Sequence, residues 1–313
     1  MTTNAAEEEL GPIRAVVAAL GAAFIYLLIR IFGRTLDPSS VPWLLGPFGS
    51  DYIGDKPYEE CARNEGLTLE RHATEGGLVP SFDALASDQF DVARVHPRVR
   101  HFYEHTARYR MDVWAEAAFP ANIALYLLVT TISRKVNQLN FPLRMLDTAK
   151  GMASEIALLR DSLGRVRYAG WYRRLVDTGR SIYTGFYLVD RTPHDGRAAV
   201  KVVFPMPHGN ATVLLRPSLS ASGDFELSSA GRSFGDVGFY RLDRKSDGKL
   251  RVWLIRSLKE HFRLYVDASE TLRCDHRVRF LGFNVLHLHY RIELNMSNSS
   301  LHTTESTTTV TTT

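Results

Sequence analysis

The sequence is short of cysteine and of net charge, and it has no phosphate-cradling glycine loop. Only Cys61 and Cys274 occur in 313 residues. They are too few and too far apart for a disulfide framework, or for a CxxC zinc or redox pair. That usage suits a reducing compartment, and export would add at most a single Cys61–Cys274 bridge. A net charge of +4 is too small, without clustering, to imply a polyanionic partner, so nucleic acid is set aside. No GxGxxG or GxxxxGK[ST] segment is present, which leaves dinucleotide and P-loop sites without support, and no cofactor is expected. The serines between 218 and 233 form no G-x-S-x-G elbow, and no catalytic triad follows from spacing. There is no internal repeat.

Long apolar runs are also scarce, with one exception. Residues 15–29, AVVAALGAAFIYLLI, carry no charged side chain. Continued through Arg30 to Gly33, the run reaches about 19 residues and about 28 Å of helix, close to a bilayer's hydrocarbon thickness. The leader MTTNAAEEELGPIR, with three glutamates and one arginine, is unlike the basic start of a cleaved signal peptide. An amphipathic surface helix would need a charged face, which the run lacks. A buried core helix is the remaining alternative. The expectation is a single transmembrane anchor with the bilayer as partner. Arg30 and Arg34 after the run outnumber Arg14 before it, which orients the body toward the cytoplasm.

The fold class expected is α+β: an N-terminal transmembrane helix, a helical segment, then a predominantly antiparallel β-meander forming a curved sheet or barrel. The chain divides into a tail and anchor (1–36), a loop-rich acidic segment (37–96), a helical segment (97–163), an antiparallel β-domain (164–296) and a disordered Ser/Thr tail (297–313). In the acidic segment a short helix is expected at Pro57–Asn64, with Asp55 as its cap. From His96-Pro97, Phe102, Thr106, Tyr109 and Val113 recur as one helical stripe up to Pro120. Ile123–Ile132 reads as a short core helix, and Leu143–Ser162 as another between Phe141-Pro142 and Gly164. Ten acidic against three basic residues in 51–91, and ten basic against four acidic in 134–180, suggest mutual neutralisation in one body or, for the basic part, contact with anionic lipid.

Beyond Arg165 short alternating runs are separated by turn chemistry at Pro193-His194-Asp195-Gly196, Pro207-His208-Gly209-Asn210 and Asp247-Gly248. They give ten strands: Arg165–Arg174, Ile182–Asp190, Ala198–Pro205, Ala211–Arg216, Phe225–Ser229, Val237–Asp243, Leu250–Arg256, Phe262–Val266, Leu272–Phe280 and Asn284–Leu294. In the first, arginines alternate with Tyr168, Trp171 and Tyr172, the pattern of a strand whose arginines cover its solvent side.

Two constellations suggest metal chemistry. His101-Phe102-Tyr103-Glu104-His105 spells H-x-x-E-H, the ligand-and-base order of one class of zinc peptidases. On a helix the same arc carries Arg108 and Asp112, whose i,i+4 pairings describe a solvated face that needs no metal. In the final hairpin, a turn at Leu281-Gly282, or a four-residue loop Phe280–Phe283, would set His276 opposite His287 and Cys274 opposite His289, all on one face and suited to Zn2+. The alternative is that these histidines are half-buried and hydrogen-bonded across strands. Three functions follow as expectations. The first is a membrane-anchored β-domain that binds a lipid or other apolar small-molecule ligand. The others are a metal-dependent enzyme built on Cys274, His276, His287 and His289, and a membrane-tethered interaction scaffold.

Overall fold

Alternation of period two in the C-terminal half does build strands, and in a computed structural model all ten expected segments are in ladders. The structure describes residues 23, 27–50, 53–116, 138, 152–176 and 178–295. Their fourteen strands are β1 Arg34–Leu36, β2 Thr68–Glu70, β3 Tyr109–Glu116, β4 Met152–Arg160, β5 Val166–Leu175, β6 Ser181–Arg191 and β7 Ala198–Met206, followed by β8 Gly209–Leu219, β9 Phe225–Ser228, β10 Gly238–Arg244, β11 Leu250–Leu254, β12 Leu258–Val266, β13 Leu272–Phe280 and β14 Phe283–Leu294. All pair antiparallel in one sheet of order β2-β4-β5-β6-β7-β8-β9-β12-β13-β14-β3. At β8 the sheet forks. Gly209–Leu214 pairs with β10, which continues to β11 and β1, whereas Arg216–Leu219 pairs with β9.

One face of this sheet is filled by the chain's own middle segment. Phe82, Phe90, Val99, Phe102 and Tyr103 pack with Trp171, Val202, Val213, Phe225, Leu264 and Ile292, so strands from β5 to β14 share one interior. Phe225 lies at its centre, with ring centroids 5.2 Å from Phe82 and 5.5 Å from Tyr103. The sheet curls to reach this core from all sides. Its edges come together without a ladder: Met152 of β4 packs on the cluster of Val113 of β3 with Leu286 and Leu288 of β14, yet among the described residues β3 pairs only with β14. The sheet is therefore curved and open, not a closed barrel.

The opposite face is covered unevenly. Helix α1 (Lys56–Glu65) lays Tyr58, Cys61 and Ala62 on Leu159, Tyr168, Tyr172, Phe186 and Val203. Val41, Trp43 and Leu44 lie on Leu214, Tyr240, Leu242 and Val252. β6 to β8 are therefore buried on both faces, while β13 and β14 alternate between buried and part-exposed residues. Among the described residues no helix covers the outer face of β9, β12, β13, β14 and β3.

The expected helices fare differently. α1 forms as expected, but Asp55 makes no side-chain cap and instead faces Arg71 at 3.3 Å. The stripe from Phe102 to Val113 does not stay helical. Helix α2 spans Pro97–Glu104, and Tyr109 and Val113 lie in β3, where Tyr109, Met111, Val113 and Ala115 alternate. The helix expected at Leu143–Ser162 is contradicted over its second half, which is β4. Ile156 and Leu158 meet the interior while Ala157 and Leu159 meet α1, and a strand buried on both faces reads as an uninterrupted apolar run. The segment 97–163 is thus largely strand where it is described, and the sheet already begins at β1. The Ile123–Ile132 segment, residues 143–151, the Ser/Thr tail and most of 15–29 lie outside the described residues. No helix among the described residues is long and apolar enough to cross a membrane.

Because Phe225 joins the internal segment to the sheet, Phe225→Ala should cost about 3–5 kcal/mol. The shift of the urea midpoint at constant slope measures it.

Candidate functional site on the last hairpin

The two-residue turn Leu281-Gly282 is present, and Phe280 faces Phe283 across it. Arg279 still faces Asn284, but Val278 faces Leu286, so Val285 is an extra residue in β14. Below that bulge Arg277 faces His287, His276 faces Leu288, Asp275 faces His289 and Cys274 faces Tyr290. With a side-chain period of two, one inserted residue transfers every later pair to new partners. The expected cluster of Cys274, His276, His287 and His289 therefore splits between the two faces of the sheet.

Cys274 and His276 point inward. His276 is 5% exposed and stacks on Phe262 at 3.8 Å between centroids, with Nε2 3.8 Å from the Glu260 carboxylate. Burial, with the Asp275 charge beside it, pushes the Cys274 thiol well above its ordinary range, which makes it an inert apolar neighbour.

His287 and His289 point outward and stay together, their ring centroids 3.9 Å apart. Glu116, the last residue of β3, lies directly opposite His287. The ligand atoms of Glu116, His287 and His289 all lie within 4.8 Å of one another. Asp275 Oδ1 is 2.8 Å from His289 Nδ1, so the carboxylate accepts the Nδ1 proton and leaves Nε2 as the lone-pair nitrogen. His287 Nε2 is buried and makes no hydrogen bond. Burial, then the positive potentials of His289 and Arg277, hold the His287 imidazole below its ordinary pKa and hence neutral at pH 7. A groove along the same outer face is lined by Ser222, Glu226, His261, Arg263, Asp275 and Arg277. Glu116 went unnoticed in the sequence because β3 read as helix, and Asp275 because the bulge was invisible.

The tip of this hairpin is apolar. Phe280, Leu281 and Phe283 are 44%, 67% and 75% exposed. Leu281 and Gly282 both have positive φ, 51° and 88°, the backbone of a type I′ turn. Leucine in that conformation costs about 1–2 kcal/mol.

HFYEH holds no metal geometry. Glu104 accepts the Phe82 N–H at 2.7 Å, His101 Nδ1 is paired with the Tyr109 hydroxyl at 2.8 Å, and His105 terminates α2 and faces Glu75. The expected Glu104–Arg108 pair is replaced by Arg108–Glu75 at 3.6 Å.

Two further polar sites stand out. In the strand rich in arginine and aromatic residues, Arg173 is not on the solvent side: it is 3% exposed, with its guanidinium 5.4–5.9 Å from the Trp171, Tyr290 and Tyr183 rings. No carboxylate among the described residues pairs with it, and its Nε has no partner. The second is a surface groove of about 540 Å³ beside His194, Asp195 and Asp236. Here the carboxylates are already engaged, Asp195 by Thr192 at 2.6 Å, by Arg197 at 2.6 Å and by Arg216 at 3.0 Å. This is an ion-pair network.

The chain matches no protein-family model, no curated protein and no solved structure. What the fold defines is a class: a predominantly antiparallel β protein whose open sheet curls round an internal helix.

Burial alone would raise the Asp195 pKa, but the hydrogen bonds from Thr192 and Arg197 and the Arg216 charge outweigh it and hold it well below the usual carboxylate range. The network's stabilisation is therefore complete above the unfolded pKa near 4 and declines as pH falls through the folded value. Asp195→Asn should lose about 1–3 kcal/mol at pH 7. Melting temperatures of both proteins, measured from pH 7 down to pH 2, should converge at the acid end.

Proposed function

We propose that this protein works at a membrane surface, with the β13–β14 tip set into the headgroup region. The observation that carries this reading is the exposed Phe280, Leu281 and Phe283 on a turn that strains a leucine to present it. Six exposed basic residues surround the tip or share its end of the body: Arg30, Arg34, Arg256, Lys259, Arg277 and Arg279. The tip's Leu281 N–H bonds to Ser257 O at 2.8 Å, just past β11. β1 runs beside β11, and the helical residues 27–32 lead off at that same end, with exposed Leu27 and Ile31 and with Phe32 stacked on Trp253. β3 also ends toward the tip, and the apolar Ile123–Ile132 follows it in the sequence. Both of the chain's most apolar stretches thus join the body at the end that carries the tip. Each tip side chain is worth about 1.5–3 kcal/mol when fully buried, and each nearby cation about 1 kcal/mol at an anionic surface. A single-pass anchor within 15–29, with the body on the cytoplasmic side, is the arrangement this reading favours.

Arg173 favours a second reading on the same membrane, in which the protein takes up an amphiphile with an acidic head. The interior of the sheet is occupied by α2 and aromatic side chains, so the ligand would enter at the unclosed seam between β3–β14 and β4–β5, where Arg173, Tyr183 and Tyr290 meet.

To test the first reading, Leu281→Cys and Asp247→Cys are each labelled with an environment-sensitive dye in the full chain reconstituted into anionic liposomes. Cys61 and Cys274 are buried and stay unlabelled, and Asp247 lies in the turn at the far end of β11. The 281 label should shift blue and be quenched by brominated lipid, and the 247 label should not. Equal quenching at the two sites would sink the proposal. For the second reading, Arg173→Met should abolish binding of a fatty acid by calorimetry while unfolding stability holds or rises by about 1–4 kcal/mol, because a buried charge with no carboxylate partner among the described residues is removed. Unchanged fatty-acid binding in that variant, or none in the parent, rejects it.

A further inference from the structure

We propose that Glu116, His287 and His289 form a binding site for one divalent transition-metal ion of the Zn2+ class, with Asp275 as the residue that positions His289. The site is independent of the membrane reading. Two imidazoles at i and i+2 on β14 present their rings to the same side, and β3 brings a carboxylate directly opposite the first of them. Ligand atoms around a four-coordinate Zn2+, each about 2.0–2.2 Å from the ion, stand roughly 3.4 Å apart. The three ligand atoms here all lie within 4.8 Å of one another, close to that spacing.

Three features of the cluster point to a ligand and not merely to surface histidines. The Asp275–His289 hydrogen bond at 2.8 Å is the carboxylate–imidazole arrangement that fixes a tautomer and frees Nε2 to bind a cation. Asp275 is itself well shielded from solvent, which strengthens that bond. His287 Nε2 is buried without any hydrogen bond, a cost of about 1–3 kcal/mol that a metal bond would remove. Charge is compatible: Glu116 and Asp275 supply two negative charges, Arg277 lies opposite His287, and Arg263, opposite Asp275, is paired with Asp224 at 2.7 Å. Imidazole and carboxylate donors suit Zn2+, and three protein ligands leave at least one position for water or another donor. The other candidate, His194 with Asp195 and Asp236, lacks these features because its carboxylates are spent on Arg197 and Arg216.

Such an ion would join the end of β3 to β14. These are the last two strands of an open sheet, and the apolar segment of the sequence follows from that point. It would hold β3, the terminal strand of the sheet among the described residues, to β14.

The test uses the full chain without a histidine tag, stripped with chelator and titrated with Zn2+ and with Co2+. One Zn2+ per chain should bind by calorimetry, and Co2+ should give the visible absorption of a site with nitrogen and oxygen donors. His289→Ala should abolish both signals. Asp275→Asn should weaken binding about 10–100-fold without removing a ligand, and His194→Ala and His276→Ala should change nothing. Should His289→Ala fold poorly, Glu116→Gln serves in its place, since Glu116 is exposed. A chain that takes up no Zn2+, or binding that survives His289→Ala, overturns the proposal. Loss of binding in His194→Ala would do the same, by moving the ion to the groove cluster.

Discussion

The structure rests on the burial of one apolar segment inside a sheet. Residues 78–103 carry Phe82, Phe90, Val99, Phe102 and Tyr103, and no neighbour in the chain can cover that much apolar surface. The sheet does so with alternate residues of β4 to β9 and of β12 to β14. An antiparallel sheet with one apolar face must remove that face from water, and wrapping round a common core does so for all its strands together. Curvature is the consequence. It carries β3 and β14 round to β4 and β5, where Met152 meets Leu286 and Leu288 although no ladder forms. The seam that results is where Arg173 lies among Trp171, Tyr183 and Tyr290.

The outer layer explains why the chemistry gathers in one region. Helix α1 and the 41–48 segment cover β4 to β8, β10 and β11, and β6 to β8 there are buried on both faces. Over β9 and β12 to β14 no such layer lies among the described residues, and the outward positions are polar: Glu226, His261, Arg263, Asp275, Arg277, His287 and His289 all lie there. Ion pairs such as Arg263–Asp224 at 2.7 Å belong to this solvated face. The apolar tip of Phe280–Phe283 is an exception on it, which is why it bears on partners and not on packing. Charge balance across the body follows the same logic, with Glu70 of the acidic segment paired to Arg160 of the basic one at 3.2 Å.

Much of this was legible in the sequence, and the misses have physical causes. The ten strands after Arg165 could be read because turn residues mark their ends and half-buried faces give a clean alternation. α1 could be read from its polar setting. β3 and β4 could not. Tyr109–Glu116 offers apolar residues at spacings that fit a helix as well as a strand, and Met152–Arg160 is buried on both sides, so its alternation is erased. The hairpin turn was found and the hairpin pairing was not. Val285 looks like any strand valine, yet its insertion separates Cys274 and His276 from His287 and His289. Arg173 was read as a solvent-facing arginine because nothing local distinguishes it from Arg174.

What the sequence by itself determined is local: where strands start and stop, which residues alternate, and which two stretches are apolar throughout. Those properties depend on neighbours a few residues apart, and turn chemistry and side-chain period encode them directly. Only the tertiary structure decided which alternate face turned inward, where the sheet stopped short of closing, and that Glu116 should stand beside His287. Such choices depend on contacts between strands far apart in the chain. A single bulge, invisible as a residue type, is enough to exchange one set of neighbours for another.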